Sequence, residues 1–253
     1  MLAIERKNEI LDKLRAEQRV LVSDLAEYYN VTEETIRRDL DKLEKEGYAT
    51  KTYGGAILGN STKTDLSYTI RNKTNVDAKN QIAALASRLI EDGDHLMLDD
   101  SSTSLYLAKK LKEKKNLTVI TNSVELVVEL NGIDGWTIIL TGGRLKPDSL
   151  ALVGDQTQQM LHRFHVDTAI MSCKGIDLEA GVTDSSEFHA QTKQSMLRCA
   201  KKKILILDSS KIDKVSFIDI APLDAFDIVV TNTAPSKPWL DFFADHNVEC
   251  LYP

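Results

Sequence analysis

The sequence predicts two domains of different fold class, a small α+β domain followed by a larger α/β domain. In residues 1–57, apolar side chains recur at helical spacing and then give way to a short alternating stretch that ends in Gly54-Gly55. In residues 76–253, short apolar or β-branched runs alternate with helical segments, which is typical of a mostly parallel sheet with helices on both faces. A polar stretch, residues 58–75, separates the two domains and is predicted to be a linker.

The first domain is predicted to open with two helices. Apolar residues at helical spacing, among them Ile10 and Leu14, indicate the first helix. The second is predicted to begin at Ser23, whose hydroxyl can accept a backbone N–H as an N-cap. It is predicted to end at Asn30, because asparagine tolerates the left-handed backbone conformation. A third helical pattern follows at once, so the second and third helices form a helix-turn-helix.

The third helix has the most informative pattern of the chain. Thr32 is predicted to be its N-cap and Gly47 its C-cap, and two glutamates occupy the first turn, where the helix dipole favours acidic side chains. Apolar residues at i, i+4 and i+7 from Ile36 form one buried stripe. At about 100° per residue, Arg37 and Arg38 point away from that stripe.

The exposed face of the third helix has the composition of a DNA-reading surface. Arg37 and Arg38 lie with the hydroxyls of Thr32 and Thr35 near the N-terminal end of the helix. That end of a recognition helix meets base edges and phosphates in the major groove. Since isolated charge runs are usually solvated helix faces, this interpretation depends on the helix-turn-helix around it.

A short two-stranded wing is predicted over Tyr48–Ala56, from its alternating pattern and its glycine pair. Lys51 is expected to contact a phosphate, and Tyr53 is expected to hydrogen-bond to the DNA backbone or to a groove. The glycine pair also fits a turn at a domain boundary, and the two interpretations are compatible.

These motifs resemble the winged helix-turn-helix of the DeoR family of bacterial transcription regulators. The resemblance rests on Arg6-x3-Ile10-x3-Leu14, on Val31-Thr32-x-x-Thr35-Ile36-Arg37-Arg38-Asp39-Leu40 and on Tyr53-Gly54-Gly55-Ala56. It implies that Thr32, Thr35, Arg37 and Arg38 contact DNA and that Lys51 and Tyr53 lie in the wing. The family more often has Arg and His at those two wing positions.

Composition limits the kinds of protein that the chain can be. The 253 residues have a net charge of −6, and the first 58 residues hold ten Lys and Arg against twelve Asp and Glu. A domain of that balance is not expected to bind polyanions without selectivity, although a local positive cluster can still contact phosphate.

Cysteine, histidine and hydropathy patterns favour a cytoplasmic protein without a metal or a cofactor. The three cysteines show no CxxC spacing, and His162 and His165 have no third ligand at metal-binding spacing. No apolar run approaches the roughly 18–20 residues that cross a bilayer. The first residues lack the order of a signal peptide. We therefore expect a reduced protein of the cytoplasm that does not contact the membrane.

The second domain is predicted to contain a sheet whose strands alternate with helices. The predicted strands are residues 95–99, 117–121, 136–140, 166–171, 203–207 and 227–230, and the predicted helices are residues 77–90, 105–111, 124–130 and 187–200. Ligands of such sheets bind beyond the carboxyl ends of the strands, so the loops after strands are the expected binding region.

The loops at those strand ends share hydroxyl, amide, glycine, carboxylate and lysine residues. The candidate ligand-binding residues are Asp99, Ser101, Ser102, Thr103, Thr121, Asn122, Ser123, Gly142, Gly143, Lys174, Asp208 and Lys211. Hydroxyls and free N–H groups at helix N-termini suit phosphate, lysine adds positive charge, and carboxylates accept hydrogen bonds from sugar hydroxyls. Each loop alone fits an ordinary helix cap or turn, so the predicted pocket depends on several of them falling at one edge of the sheet.

The same loops resemble the sensor domain of the DeoR family. The matching segments are Leu98-Asp99 with Ser102-Thr103, Thr121-Asn122-Ser123, Thr141-Gly142-Gly143, Ala151-Leu152-Val153-Gly154, Lys174-Gly175-Ile176-Asp177 and Asp208-Ser209-Ser210-Lys211, with Arg71 and Lys79 at the start of the domain. The resemblance implies a fold related to ribose-5-phosphate isomerase and glucosamine-6-phosphate deaminase. It also implies that the domain binds a phosphorylated sugar or sugar alcohol as its effector. This chain has Ser101 where the family usually has glycine, which narrows access to the backbone of the first phosphate loop.

The leading hypothesis is a transcription regulator, a repressor of a sugar-catabolic operon. It is expected to bind a double-stranded DNA operator as a homo-oligomer, either a dimer or a tetramer. The effector must favour one arrangement of the DNA-binding domains over another, because only differential affinity shifts an equilibrium. The linker would convert that preference into a changed spacing of two recognition helices.

The rival hypothesis is a sugar-phosphate isomerase with a DNA-binding appendage. Isomerisation needs a general base, for which Glu187 and Asp177 are the candidates. Because no Ser-His-Asp set, metal motif or paired carboxylate stands out, an enzyme is not expected. A scaffold protein without a ligand would leave the polar strand-end loops unexplained.

Overall fold

A computed structural model of the protein describes residues 3–17, 19–45, 48–58 and 68–253. The chain divides into two units, Met1–Ser67 and Tyr68–Pro253. Unit 1 has one hydrophobic core, and unit 2 has two, one on each face of its main sheet. Among the described residues, no helix has the length and hydropathy needed to span a membrane, and no cluster of His, Cys, Asp and Glu could hold a metal ion.

Unit 1 consists of helices packed against a small antiparallel sheet. Its elements are α1 (Ala3–Glu17), β1 (Arg19–Leu21), α2 (Val22–Tyr29), α3 (Glu33–Lys45), β2 (Ala49–Thr52) and β3 (Gly55–Leu58). Their apolar faces meet in a core that includes Ile10, Leu14, Leu25, Ile36 and Leu40. The predicted winged helix-turn-helix is therefore confirmed.

The turn between α2 and α3 forms as the sequence predicts. Asn30 adopts φ 50° and ψ 51°, in the left-handed region. This conformation lets the N–H of Val31 donate to the carbonyl of Ala26 at 3.0 Å, so the backbone of the helix end is satisfied within the turn.

Two predicted helix caps in unit 1 have different outcomes. The prediction that Ser23 is an N-cap is wrong, because α2 begins at Val22 and the Ser23 hydroxyl donates to Asp24. The apolar Val22 is buried, so packing sets the start of this helix ahead of the capping preference. The predicted C-cap at Gly47 lies outside the described residues.

The sheet of unit 1 contains a strand that was not predicted. Its strand order is β1-β3-β2, with Val20 of β1 opposite Ala56 of β3. At three residues, β1 is too short to show an alternating pattern. A Cβ on Gly55 would lie 2.1 Å from the carbonyl oxygen of Val20, so the close approach of β3 to β1 requires glycine there.

Unit 2 is an α/β structure with a large parallel sheet. Its helices are α4 (Tyr68–Lys73), α5 (Val76–Ala86), α6 (Ser102–Leu111), α7 (Val124–Leu130), α8 (Asp155–Leu161), α9 (Glu187–Cys199) and α10 (Lys237–Asp245). Its strands are β4 (His95–Leu98), β5 (Thr118–Thr121), β6 (Thr137–Leu140), β7 (Arg144–Lys146), β8 (Ala151–Val153), β9 (Val166–Met171), β10 (Gly175–Asp177), β11 (Gly181–Asp184), β12 (Ala200–Ile206), β13 (Ile218–Ala221), β14 (Ile228–Val230) and β15 (Glu249–Leu251).

The main sheet has the strand order β15-β14-β12-β9-β4-β5-β6, and every neighbouring pair is parallel. Successive side chains of β4 enter different cores: Leu96 and Leu98 pack with residues of α5, α6 and α7, whereas Met97 packs with residues of α9 and α10. Helices therefore cover both faces, which confirms the predicted fold class.

The predicted strands and helices of the second domain are all present, most of them with shifted ends. Val124–Leu130 and Val166–Met171 agree at both ends, whereas the predicted helix 77–90 ends at Ala86 and continues as a 3-10 turn, Ser87–Leu89. The elements that were not predicted include an antiparallel sheet of order β10-β11-β13 and a hairpin of β7 with β8. Their strands are three or four residues long, which leaves little periodicity to detect.

Part of the predicted linker is structured. Residues 68–73 form α4, and the Tyr106 hydroxyl on α6 donates to the carbonyl of Asn72 at 3.0 Å, which ties the segment to unit 2. Residues 59–67 of the predicted linker lie outside the described residues. The domain boundaries at residues 57 and 75 stay a prediction.

Candidate functional site

The N-terminal end of α3 brings together the four residues predicted to read DNA. Thr32 accepts the backbone N–H of Thr35 at 3.3 Å, so it caps α3 as predicted, and the two hydroxyls lie 2.9 Å apart. The side chains of Arg37 and Arg38 are 51 % and 73 % exposed. Both guanidinium groups are therefore accessible to a partner in solution.

Each arginine of α3 pairs with a glutamate one turn earlier. Nη2 of Arg37 lies 2.7 Å from Oε2 of Glu33, and Nε of Arg38 lies 3.3 Å from Oε1 of Glu34. Exposed helical pairs at i, i+4 contribute only about 0.3–0.5 kcal/mol. Another anionic or hydrogen-bonding partner can therefore displace the glutamates.

A buried ion pair holds α3 against α1. Nε of Arg6 lies 2.7 Å from Oδ2 of Asp39, and the two side chains are 10 % and 2 % exposed. Sequence analysis assigned this pair no role. The position of Asp39 could have indicated its burial, because it lies between Ile36 and Leu40 on the buried side of the helix.

The wing carries the other two predicted DNA contacts. The ammonium group of Lys51 contacts the carboxylate of Asp41, and its backbone N–H donates to Oε1 of Glu44 at 2.9 Å. The hydrogen bond from Lys51 lowers the pKa of Asp41, so both groups are charged at neutral pH. The Lys51 side chain is 41 % exposed, so a phosphate would compete with Asp41 for its ammonium group. Tyr53 is fully exposed in the turn of the wing.

In unit 2, Asp99 connects two neighbouring strand ends. Its Oδ1 accepts from the hydroxyl of Ser104 at 2.5 Å and from the backbone N–H of Ser101 at 3.2 Å. Its Oδ2 accepts from the backbone N–H of Ser172 at 3.0 Å, and Nζ of Lys193 lies 3.5 Å away. Since Asp99 follows β4 and Ser172 follows β9, the carboxylate joins the ends of adjacent strands.

A second buried carboxylate, Asp100, begins a chain of polar contacts. Its Oδ1 lies 3.2 Å from Nδ1 of His189 and 3.5 Å from Nδ2 of Asn122. Nε2 of His189 lies 3.2 Å from Nζ of Lys146. Burial alone would raise the pKa of Asp100, but the charges of His189 and Lys193 and the hydrogen bond from His189 hold it well below its usual range. Asp100 is therefore an anion at neutral pH.

Lys193 is a buried cation in the same cluster. Its ammonium group contacts the carboxylate of Asp184. Burial would lower the pKa of Lys193, but the carboxylates of Asp184, Asp99 and Asp100 together raise it. Burial would raise the pKa of Asp184, and the charge of Lys193 outweighs it and lowers that pKa. The two groups therefore stay charged in the interior.

At β9 and β12, the strand ends place a cation beside a hydroxyl and a carboxylate. Nζ of Lys211 donates to the hydroxyl of Ser172 at 2.8 Å. Asp208 accepts from Nδ2 of Asn75 at 3.1 Å and from the hydroxyl of Ser210. Burial would raise the pKa of Asp208, but the charge of Lys211 and the Ser210 hydrogen bond lower it.

Lys79 lies next to this group and is almost fully buried. Its ammonium group donates to the carbonyl of Arg71 at 2.6 Å and to that of Thr74, which fixes the end of α4 to α5. Burial, followed by the charge of Lys211, lowers the pKa of Lys79 from 10.5 to about 8.

Several predicted ligand-binding residues also act as helix caps. Ser101 accepts the backbone N–H of Ser104 at the start of α6, and Ser123 accepts that of Leu126 at the start of α7. The Thr121 hydroxyl accepts the backbone N–H of Ser123 at 3.1 Å. Ser102 and Thr103 are buried in the first turn of α6. The structure thus gives Ser101 and Ser123 the capping role that sequence analysis left open.

The predicted glycine pair lies against α8. Gly143 has φ 130°, and a Cβ there would lie 2.3 Å from Oγ1 of Thr157. The Thr157 hydroxyl donates to the carbonyl of Gly142 at 2.7 Å. Gly143 therefore lets the loop after β6 pack closely on α8, whereas a Cβ on Gly142 would have no atom within 4 Å. Lys174 donates its backbone N–H to Thr183 at 2.9 Å, and its charge helps to lower the pKa of Asp184.

Buried oxygen atoms at three strand ends have no hydrogen-bond partner within the described residues. They are Oδ1 of Asn122 after β5, Oγ1 of Thr141 after β6 and Oγ1 of Thr231 after β14. Buried polar atoms in native proteins are nearly always paired. A polar ligand at Asn122 and Thr141, whose strands are neighbours, would supply the missing partners.

Five titratable residues of this cluster were not predicted: Asp100, Lys146, Asp184, His189 and Lys193. The predicted ligand-binding residues lie in loops that follow strands, whereas His189 and Lys193 come from the body of α9. Their i, i+4 spacing places them on one face of that helix, and both are buried. A histidine and a lysine on the core-facing side of an amphipathic helix were the signal for them.

Comparison with protein families places both units in one group of proteins. Residues 6–62 match the model described as DeoR-like helix-turn-helix domain, and residues 74–233 match the model described as DeoR C terminal sensor domain.

Individual relatives agree over nearly the full length. The chain is 36% identical to the HTH-type transcriptional repressor GlcR of Bacillus subtilis, over 98% of this chain and 95% of that protein. It is 31% identical to the L-fucose operon activator of Haemophilus influenzae, over 96% of this chain and 97% of that protein. Among solved structures, ribose 5-phosphate isomerase A from Methanocaldococcus jannaschii matches with a TM-score of 0.41 and 17% identity, covering 55% of each chain.

Proposed function

The chain is a member of the DeoR family of transcriptional regulators, and from that premise we propose that it represses a sugar-catabolic operon under the control of a phosphorylated sugar or sugar alcohol. GlcR is named a repressor, and the L-fucose activator is named for a sugar operon. Since one relative represses and another activates, the sign of regulation is part of the test below.

The side chains at the N-terminal end of α3 support the proposed binding to DNA. Two exposed arginines and two hydroxyls occupy the helix end that enters the major groove, and arginine is the side chain best suited to guanine O6 and N7. Tyr53 is exposed at the tip of the wing. We propose that Thr32, Thr35, Arg37 and Arg38 contact the operator and that the wing contributes Tyr53 and Lys51.

The effector half is supported first by the unpaired oxygens. Asn122 Oδ1 and Thr141 Oγ1 are both buried and unpaired, at the ends of two neighbouring strands, and this is the observation that carries the proposed pocket. An unpaired buried acceptor costs about 1–3 kcal/mol, which ligand hydroxyls would recover. Asp100, beside Asn122, is an anionic acceptor for further hydroxyls.

The charge of the pocket supports a phosphorylated ligand over a neutral sugar. Leaving His189 aside, the side chains whose contacts or charges act on this cluster are the cations Arg71, Lys79, Lys146, Lys174, Lys193 and Lys211 and the anions Asp99, Asp100, Asp184 and Asp208. The excess of two positive charges fits a phosphate dianion. Lys211 and Ser172 are the groups that we propose hold it, with Asp208 orienting the loop.

We propose that the protein has no catalytic activity. The two general-base candidates are engaged elsewhere: Glu187 is exposed and accepts from Gln191, and the carboxylate of Asp177 accepts the backbone N–H groups of Glu179 and Ala180. Turnover of ribose 5-phosphate by the purified protein, lost on substitution of Lys193, would overturn this part of the proposal.

We also propose that the protein acts as a homo-oligomer in the cytoplasm. One recognition helix on a monomer binds weakly, and two half-sites joined in one protein multiply affinity. An operator with half-sites spaced by whole helical turns follows from that arrangement.

The decisive experiment is a thermal-shift screen of sugar phosphates against their unphosphorylated parents. Ligands that bind only the folded protein raise its melting temperature, and a ligand at 100 times its Kd adds about 2.7 kcal/mol of stability. We expect stabilisation by one sugar phosphate and none by its parent sugar. A gel-shift assay with that compound then gives the sign of regulation. A screen in which parents and phosphates act alike would overturn the phosphate assignment.

A further inference from the structure

Each polar side chain in the first turns of α3 that is predicted to read DNA has a partner within the same helix or at its N-cap. Arg37 pairs with Glu33, Arg38 pairs with Glu34, and the Thr32 hydroxyl bonds to that of Thr35. DNA that approaches either arginine therefore also meets a glutamate, and the guanidinium N–H that faces the carboxylate becomes available only if DNA displaces that carboxylate. The cost of that displacement depends on what the DNA offers in return.

The positions of the two glutamates make it unfavourable for a DNA phosphate to replace them as partners of the arginines. Each lies one turn nearer the N-terminus than its arginine, and that end of the helix enters the groove first. The four charged side chains sum to zero, so this end of the helix offers no net attraction to a polyanion. A phosphate that approaches either arginine also approaches a carboxylate.

Base edges present both hydrogen-bond donors and acceptors, whereas a phosphate presents only acceptors. Guanine presents two acceptors to one guanidinium, and cytosine presents an N4 donor that a displaced carboxylate can accept from. We propose that Glu33 and Glu34 are specificity-determining residues of the recognition helix. They lower the affinity for non-specific duplex and leave specific binding to sites where base edges satisfy both members of each pair. This inference rests on the proposed DNA contacts of Arg37 and Arg38.

The test measures two affinities for each full-length variant at one salt concentration. An operator is first selected from a random duplex library with the wild-type protein, and a random-sequence duplex of equal length serves as the non-specific probe. The variants are Glu33→Gln, Glu34→Gln and the control Glu27→Gln. Glu27 is exposed on α2 and forms no ion pair with either arginine, so its variant changes the charge of unit 1 equally.

We expect Glu33→Gln and Glu34→Gln each to raise affinity for the random duplex about three- to fivefold, by the loss of one repelling charge per subunit. Operator affinity should rise by less than twofold or fall, so the ratio of operator to random binding drops. Glu27→Gln should change both affinities by less than twofold. The inference is overturned if the two variants match this control, or if operator and random affinities rise together.

An Arg37→Ala variant separates this inference from the proposed function. If Arg37→Ala loses operator affinity while the glutamate variants behave like Glu27→Gln, only the role of the glutamates is wrong. If Arg37→Ala binds the operator normally, the proposed DNA contact itself is wrong.

Discussion

The guanidinium of Arg6 and the carboxylate of Asp39 form a buried ion pair, with Arg6 Nε 2.7 Å from Asp39 Oδ2. This pair joins α1 to the recognition helix on the side opposite the exposed arginines. The position of the proposed DNA-reading face therefore depends on a charge contact inside the core as well as on Ile36 and Leu40.

Asp39→Ala should destabilise unit 1 by roughly 3 kcal/mol, because it leaves the buried Arg6 cation without its partner. Urea unfolding followed by circular dichroism measures the change. Lys42→Ala is the control, since Lys42 lies 3.8 Å from the same carboxylate but is 57 % exposed. It should cost less than about 1 kcal/mol. Equal effects of the two substitutions would show that the buried pair is not the contact that matters.

Arg38→Ala should lower operator affinity at least tenfold, since a lost base contact costs about 1–3 kcal/mol per half-site. Fluorescence anisotropy with a labelled operator measures it. Arg88→Ala removes the same charge from an exposed position in unit 2 and should bind as the wild type does. Unchanged operator affinity in Arg38→Ala would contradict the assigned contact.

Lys211→Ala should weaken effector binding at least tenfold and leave DNA binding in the absence of effector unchanged, because Lys211 supplies a charge-assisted contact in the proposed phosphate site. The readout is the concentration of sugar phosphate needed to change a gel shift. Lys110→Ala, exposed on α6, is the matched control. Asp208→Asn should resemble Lys211→Ala. Normal responses from both variants would place the pocket elsewhere.

Gly55→Ala should cost at least about 3 kcal/mol, because its Cβ would lie 2.1 Å from the backbone of Val20 and neither strand can yield without breaking the sheet. Gly54→Ala is the comparison. Gly54 has φ 84° but open space around it, so only the backbone penalty of about 1 kcal/mol applies. Thermal unfolding of unit 1 should rank the variants in that order, and the reverse order would refute the close approach.

The buried Lys79 makes the stability of the protein depend on pH in a defined direction. Its pKa is about 8 in the folded protein against 10.5 when unfolded. Between those values the unfolded chain binds more protons, so the contribution of Lys79 to the free energy of unfolding rises with pH from 8 to 10.5. Lys79→Met removes this contribution. The difference between the wild-type and Lys79→Met stabilities should increase over that range, and a flat or falling difference would contradict the buried cation.

Sequence analysis predicted the elements that carry strong local signals. Asn30 marked the turn between α2 and α3, and the apolar run of β9 was found at both ends. Strand β1 was missed because its three residues acquire their partner, β3, only from a distant part of the chain. The Ser23 cap failed because burial of Val22 set the start of the helix.

Three of the strand-end loops predicted from local sequence meet in the structure. The polar loops after β4, β9 and β12 do meet, through Asp99, Ser172 and Lys211, because parallel strands end at one edge. His189 and Lys193 were missed because their role depends on which face of α9 meets the sheet. That orientation follows from the packing of the whole unit and is not visible in a loop motif.

Hydrogen bonds hold the segment between α4 and α5 in place. Lys79 donates to the carbonyls of Arg71 and Thr74, and Asp208 accepts from Asn75. Asn75, which directly precedes α5, donates a hydrogen bond to Asp208 in the loop that contains Lys211. An effector that moves Lys211 and Asp208 would therefore act directly on the hydrogen bond between Asp208 and Asn75. Effector binding at the proposed site would then alter the segment from α4 to the first turn of α5 without any change in the seven-stranded sheet.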